Sequence, residues 1–264
     1  MFVFEFMRNA FLASTFIAIT CGLVGVFVVA RNLSFLSHTL SEIGFAGAAF
    51  GVFVGLSPLN GMLLFTGASS LIVGTLSVEK SHREASISAV SSLFIGLGIL
   101  FLSLSNKNAS YATNILFGSI VGISAAEVNQ LILLSGIALI ALLAVYRILV
   151  FDSFDGVGAA SQNIHRNLLS MFFLILLALS VSIGAQIVGS LLVFILLTLP
   201  AASAQYMGRS VPSMLAFSLG FALIGVWLGL YLGYVTNWPV TFFIASIEVV
   251  IYLLTLIYNR WQTN

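Results

Sequence analysis

Polar positions along this chain are few and clustered, and long apolar stretches lie between them. Runs free of Asp, Glu, Lys and Arg extend over Asn9–Ala30, Ile43–Val78, Ala85–Asn106, Val128–Tyr146, Asn167–Gly208 and Ser210–Ile247. About 20 apolar residues in a helix cross a bilayer core of roughly 30 Å. Three of these runs are too long for one crossing. The first breaks at Ser57-Pro58-Leu59-Asn60-Gly61. The second turns near Gly184-Ala185-Gln186. The third breaks at Thr236-Asn237-Trp238-Pro239, after which a last helix continues to about Tyr258. The pattern predicts an all-α polytopic membrane bundle of nine spans, or eight if the Gly184 segment only bends. Residues 1–264 form a single transmembrane unit, with no soluble domain.

Composition agrees with the pattern. Of 264 residues, 60% are apolar and 6% are charged, with a mean hydropathy of +1.16; a soluble domain is about 25% charged. A net charge of +1 leaves no basic patch for nucleic acid. The single cysteine, Cys21, excludes an internal disulfide. The stretch after Arg8 is too long for a signal-peptide core and is expected to be a retained first helix.

With nine spans, Arg31, Lys80, Arg83, Arg147, Arg166, Arg209 and Arg260 fall on one side and Arg8 and Lys107 on the other. Basic residues mark the cytoplasmic side, so the N-terminus is expected outside and the C-terminus inside. The longest internal connection on the cytoplasmic side is then Phe151–Asn167. On the outer side, Tyr111–Ile123 is apolar but too short to cross, and is expected to lie against the bundle as a half-helix. Gly47, Gly51 and Gly55, like Gly225, Gly229 and Gly233, recur every four positions, as helices do where their backbones pack closely.

Ionisable groups inside a membrane are costly and are the natural functional candidates. His38 and Glu42 are four residues apart and share a helical face, with Ser34, Ser37 and Ser41 nearby. Imidazole with carboxylate is half a site for zinc or manganese. The remaining ligands must come from another helix or a second subunit. The bland alternative is an interfacial histidine paired with a glutamate. Glu248, in the middle of the last span, is a second candidate ligand or a carboxyl bonded to a neighbouring helix. His82 and His165 fall on solvated connections. There is no His-Glu-x-x-His signature. The run from Gly74 to Ser81 has Glu79 where a phosphate loop needs glycine. Any ATP must bind to another chain.

Four segments carry a family resemblance. They are Gly25–Ser41, Leu116–Gly122, Ser153-Phe154-Asp155, and Val188–Val193 leading to Leu199-Pro200-Ala201-Ala202. In this order and spacing they resemble the permeases of zinc, manganese and iron ABC importers. In that family an Asp often stands at the position of His38 and a His at that of Glu42, so here the pair is kept with its order swapped. The resemblance implies a transport subunit and not an enzyme, in a bacterial plasma membrane, with no permanently bound cofactor and a divalent transition-metal ion as cargo. It implies a second copy of the permease, cytoplasmic ATP-binding subunits and an extracytoplasmic metal-binding protein as partners. Ser153, Phe154, Asp155 and Gly156 would begin a coupling segment, about residues 151–167, that docks on the ATPase. The rival from another class is a proton-coupled secondary carrier using Glu42 and Glu248.

Overall fold

The computed structural model of the chain describes residues 4–75, 83–105, 114–118, 123–154, 165–190 and 192–263. Nine long helices run through them: α1 (Glu5–Ala30), α2 (Ser34–Val54), α3 (Pro58–Thr75), α4 (Arg83–Leu104), α5 (Ala125–Phe154), α6 (Arg166–Val188), α7 (Val193–Met207), α8 (Val211–Thr236) and α9 (Val240–Thr263). No strand occurs among the described residues. Helices satisfy their own backbone hydrogen bonds, as a chain in hydrocarbon requires.

Many large apolar side chains face outward. On α5, Leu133, Ile137, Ile140 and Leu143 form one exposed stripe, and on α9 Val250, Leu253, Leu254, Ile257 and Trp261 do the same. An apolar outside of this extent fits lipid and not water. Among the described residues, five helices are both long and apolar enough to cross a membrane: Glu5–Ala30, Ala125–Phe154, Arg166–Gln186, Val211–Thr236 and Val240–Gln262. Pro58–Ile72, Ser88–Leu104 and Val193–Met207 are apolar but shorter.

The direction of the helices follows from which residues meet. Gly47 of α2 lies against Gly61 of α3, and Gly51 against Ser57, so these two run antiparallel. Gly225, Gly229 and Gly233 of α8 meet Glu248, Ile244 and Val240 of α9 in reverse order. Antiparallel, too, are α1 and α8, through Gly22 with Ala222 and Thr15 with Trp227. Parallel packing joins α2 to α4, where Glu42 meets Ser91 and Phe53 meets Phe101. The two glycine rows therefore do mark close helix crossings, with one exception. Gly55 adopts φ +85° and caps α2.

Two expected breaks are present. Gly55 ends α2 before Pro58 opens α3, and Asn237, at φ +58°, ends α8 before Pro239. The third is displaced: α6 continues through Gly184 to Val188, and the turn falls at Gly189. Gly189 has φ +90°, and a Cβ there would strike Gly118 and the Leu116 carbonyl. Gly184 instead lies inside the helix, where a Cβ would strike Val193 and approach Cys21.

Two helices are longer than the charge-free runs implied. His38 and Glu42 lie inside α2, which starts at Ser34, nine residues before Ile43. Arg147 and Asp152 lie inside α5, so Phe151–Phe154 is helix and not connection. Of the expected outer half-helix, residues 114–117 are helical and the Ile115 carbonyl accepts a bond from the Ser190 amide, 3.1 Å. Asn9 of α1 donates to the Ile123 carbonyl, 3.3 Å. That segment packs on the bundle near the α6–α7 turn.

Candidate functional site

His38 sits in the second turn of α2, with Glu42 one turn further along the same face. His38 Nδ1 is 3.7 Å from Glu42 Oε1. The imidazole rests edge-on against Phe194 of α7, with ring centroids 4.6 Å apart, and Ser91 of α4 donates to the Glu42 carboxylate. Three helices thus fix the pair. Its side chains are not sealed: His38 is 38% exposed and Glu42 17%. Ser37 and Thr39 turn their hydroxyls back onto the carbonyls of Ser34 and Phe35. The buried Ser41 hydroxyl has no hydrogen-bond partner among the described residues.

The chemistry of the pair suits a borderline divalent metal. Zinc binds imidazole nitrogen and carboxylate oxygen at about 2.0–2.2 Å, which places two such donors roughly 3–3.5 Å apart. The observed 3.7 Å needs only a small side-chain rotation. Two donors do not complete a coordination shell, and among the described residues no group of three or more His, Cys, Asp or Glu comes together. A metal held here needs ligands from beyond those residues.

Glu248 stands elsewhere. It is fully buried on α9, with its carboxyl packed against the bare Cα of Gly225 on α8. Neither of its oxygens has a hydrogen-bond partner among the described residues. The structure does not bring it to His38 and Glu42, since α9 packs on α7 and α8 while α2 packs on α3, α4, α6 and α7.

Of the expected coupling residues, Ser153 and Phe154 form the last turn of α5; Asp155 and Gly156 lie outside the described residues, as does His82. Phe154 packs edge-on against Phe27 of α1, centroids 6.5 Å apart. His165 precedes α6 and is exposed. Three further residues take part in contacts that the linear sequence does not reveal. Ser91 is one of several serines on α4 and carries no distinguishing pattern. Arg31 and Asp152 meet in an ion pair at 2.8 Å. The readable signal was Asp152 itself, an acidic residue closing a strongly apolar stretch.

Among the described residues the chain is a helical bundle with an apolar exterior, the architecture of a membrane-embedded protein. The chain belongs to the ABC 3 transport family, whose model matches residues 3–259. That membership makes it a transport subunit and not an enzyme. It is 31% identical over 265 residues to a membrane protein from the ycf23-apcF intergenic region of Cyanophora paradoxa, covering 98% of this chain and 88% of that one. It is 27% identical over 236 residues to the manganese transport system membrane protein MntC of Listeria monocytogenes, covering 89% and 84%. The structure is similar to that of PsaBC from Streptococcus pneumoniae in complex with Fab, with a TM-score of 0.82, 25% identity, and coverage of 96% and 91%.

Proposed function

We propose that this permease carries a divalent transition-metal ion, manganese or its neighbours zinc and iron, into a bacterial cell across eight or nine spans. The observation that carries the reading is the His38–Glu42 pair, one turn apart and 3.7 Å from donor to donor, inside a family whose similar members include a manganese transport protein. ATP-binding subunits on the cytoplasmic side supply the energy, and an extracytoplasmic metal-binding protein delivers the ion. A second copy of the permease completes the path and supplies the ligands that a single chain lacks. The pair holds the metal in passing, since a site with two donors per chain releases its ion readily.

Orientation follows from charge. Arg31, Asp152 and Arg166 meet at one end of the bundle, and by helix direction Arg209 and Arg260 lie at the same end, opposite Arg8. By the positive-inside rule that end faces the cytoplasm, which puts the N-terminus outside and the connection after Phe154 within reach of an ATPase.

The test is the double variant His38→Ala with Glu42→Ala, expressed with its ATPase and binding protein. Metal uptake disappears while assembly of the complex and basal ATP hydrolysis persist. Undiminished uptake in that variant would remove the pair from the path.

A further inference from the structure

The end of the bundle that carries Arg31 holds an ion cluster that the metal pair does not use. Asp152, in the last turn of α5, is 10% exposed and lies between two arginines. Arg31 Nη1 donates to Asp152 Oδ2 at 2.8 Å, and Arg166 Nε lies 3.2 Å from Oδ1. Arg31 is bound further: Nη2 donates to Ser170 Oγ of α6 at 2.8 Å, and its guanidinium lies 5.3 Å from the centre of the Phe173 ring. Beside the cluster, Phe27 of α1 meets Phe154 of α5 and Phe173 of α6 edge-on. The mostly buried carboxylate accepts a charge-assisted bond from Arg31 on one oxygen, a bond roughly twice as strong as a neutral one, and its other oxygen is ion-paired with the half-exposed Arg166.

The position of the joint gives it a task. Asp152 precedes the 155–164 connection by three residues and Arg166 follows it by two, so both flanks of that connection attach to a single carboxylate. Arg31 is the first residue beyond α1 and opens the turn into α2. That turn is tight: Asn32 has φ +54°, and the Leu33 amide bonds to the Val28 carbonyl at 2.8 Å. From Ser34 to His38 is four helical residues, about 6 Å along the axis at 1.5 Å per residue. Arg31 therefore gives the flanks of the connection a polar tie to the base of α2, beside the direct packing of α2 on α6.

We propose that Asp152, clamped by Arg31 and Arg166, is a positioning residue that links the α5–α6 connection to helix α2, so that movement imposed on the connection moves the His38–Glu42 face. The proposal rests on the reading of the chain as an ATP-driven metal permease. Its chemistry calls for a carboxylate at 152 and a forked cation at 31; lysine at 31 lacks the planar fork whose two nitrogens hold Asp152 and Ser170 separately.

The experiment uses the whole transporter, permease with its ATPase and binding protein, in proteoliposomes. It measures manganese(II) uptake and ATP hydrolysis on the same preparation. Asp152→Asn keeps ATP hydrolysis within about twofold of wild type while uptake per ATP falls about tenfold or more. Asp152→Glu restores much of the lost uptake, and Arg31→Lys uncouples like Asp152→Asn. A proportional loss of both activities, or wild-type uptake per ATP in Asp152→Asn, overturns the proposal. Should Asp152→Asn fail to assemble, Arg31→Lys alone decides by the same ratio. A second readout is independent of metal. Phe35→Cys, exposed in the first turn of α2, is labelled with a maleimide with and without ATP. ATP changes the labelling rate in the otherwise wild-type chain and leaves it unchanged when Asp152→Asn is added. An equal ATP effect in both backgrounds overturns the clamp. Absence of manganese, zinc or iron uptake by the wild type, with the labelling difference intact, faults the metal reading and leaves the clamp standing.

Discussion

Replacing Gly61 by alanine tests how α2 is held. At this crossing the two backbones touch: a Cβ on Gly61 would overlap the Gly47 carbonyl oxygen and come within 2.9 Å of its carbon and 3.0 Å of the Gly51 nitrogen. All three are backbone atoms of α2, so no side chain can swing away. Non-bonded carbons rest at about 3.5–4.0 Å, and the helices must separate by roughly 1 Å. Overpacking of this kind costs about 1–3 kcal/mol, and backbone against backbone belongs at the upper end. Alanine recovers about 1 kcal/mol of helix propensity over glycine, which leaves a net loss of about 2 kcal/mol. For a chain of this size each kcal/mol shifts the melting temperature by about 2–4 °C, so the expected fall is about 4–8 °C. Cys21, the single cysteine, is buried, and a thiol-reactive dye in detergent reports its exposure on unfolding. Gly67→Ala on the same helix is the control, because nothing lies within 4 Å of its added Cβ. Equal melting temperatures for Gly61→Ala and wild type, or an equal fall in both variants, would refute the packing argument.

Further expectations follow from other contacts. Gly225→Ala drives a Cβ into the Glu248 carboxyl, so it lowers the dye-reported melting temperature, and adding Glu248→Ala recovers most of the loss; no recovery would show that the two do not share that space. Ser91→Ala removes the hydroxyl that bonds the Glu42 carboxylate. Glu42 is then no longer held in one orientation beside His38, so uptake at limiting manganese falls while assembly is unchanged, as measured by uptake beside size-exclusion profiles. Ser218→Ala loses the 2.6 Å bond to the Gly22 carbonyl that ties α8 to α1, with a cost of about 1 kcal/mol read by the same dye assay.

Much of the fold was legible because hydropathy reports contact with lipid directly. The apolar runs located the helices, Ser57-Pro58 and Trp238-Pro239 marked real turns, and the glycine rows marked real crossings. Helix ends were less legible, since hydropathy does not register a helix that continues through polar residues. Thus α2 begins at Ser34 and carries His38 and Glu42 inside it, and α5 runs on to Phe154 with Asp152 ion-paired to Arg31 and Arg166. Gly184 and Gly189 are both glycines five residues apart, and only the positive φ of Gly189 distinguishes a turn from a packing contact. At the site, the i, i+4 spacing of His38 and Glu42 was sufficient to pair them. Their fixing by Ser91 and Phe194 was not, because those contacts join helices far apart in sequence. Glu248 was visible as an intramembrane carboxyl, but its place between α8 and α9, away from α2, depends on packing alone.

The proposed route, a divalent metal driven by ATP past His38 and Glu42, is open to a single measurement. Its most direct test is manganese(II) accumulation in proteoliposomes holding the permease, its ATPase and the binding protein, compared under an ATP supply and under an imposed proton gradient without ATP. Accumulation is expected only with ATP, and none with ATP when His38 and Glu42 are both alanine. Accumulation driven by the gradient alone, or unchanged in the double variant, would contradict it.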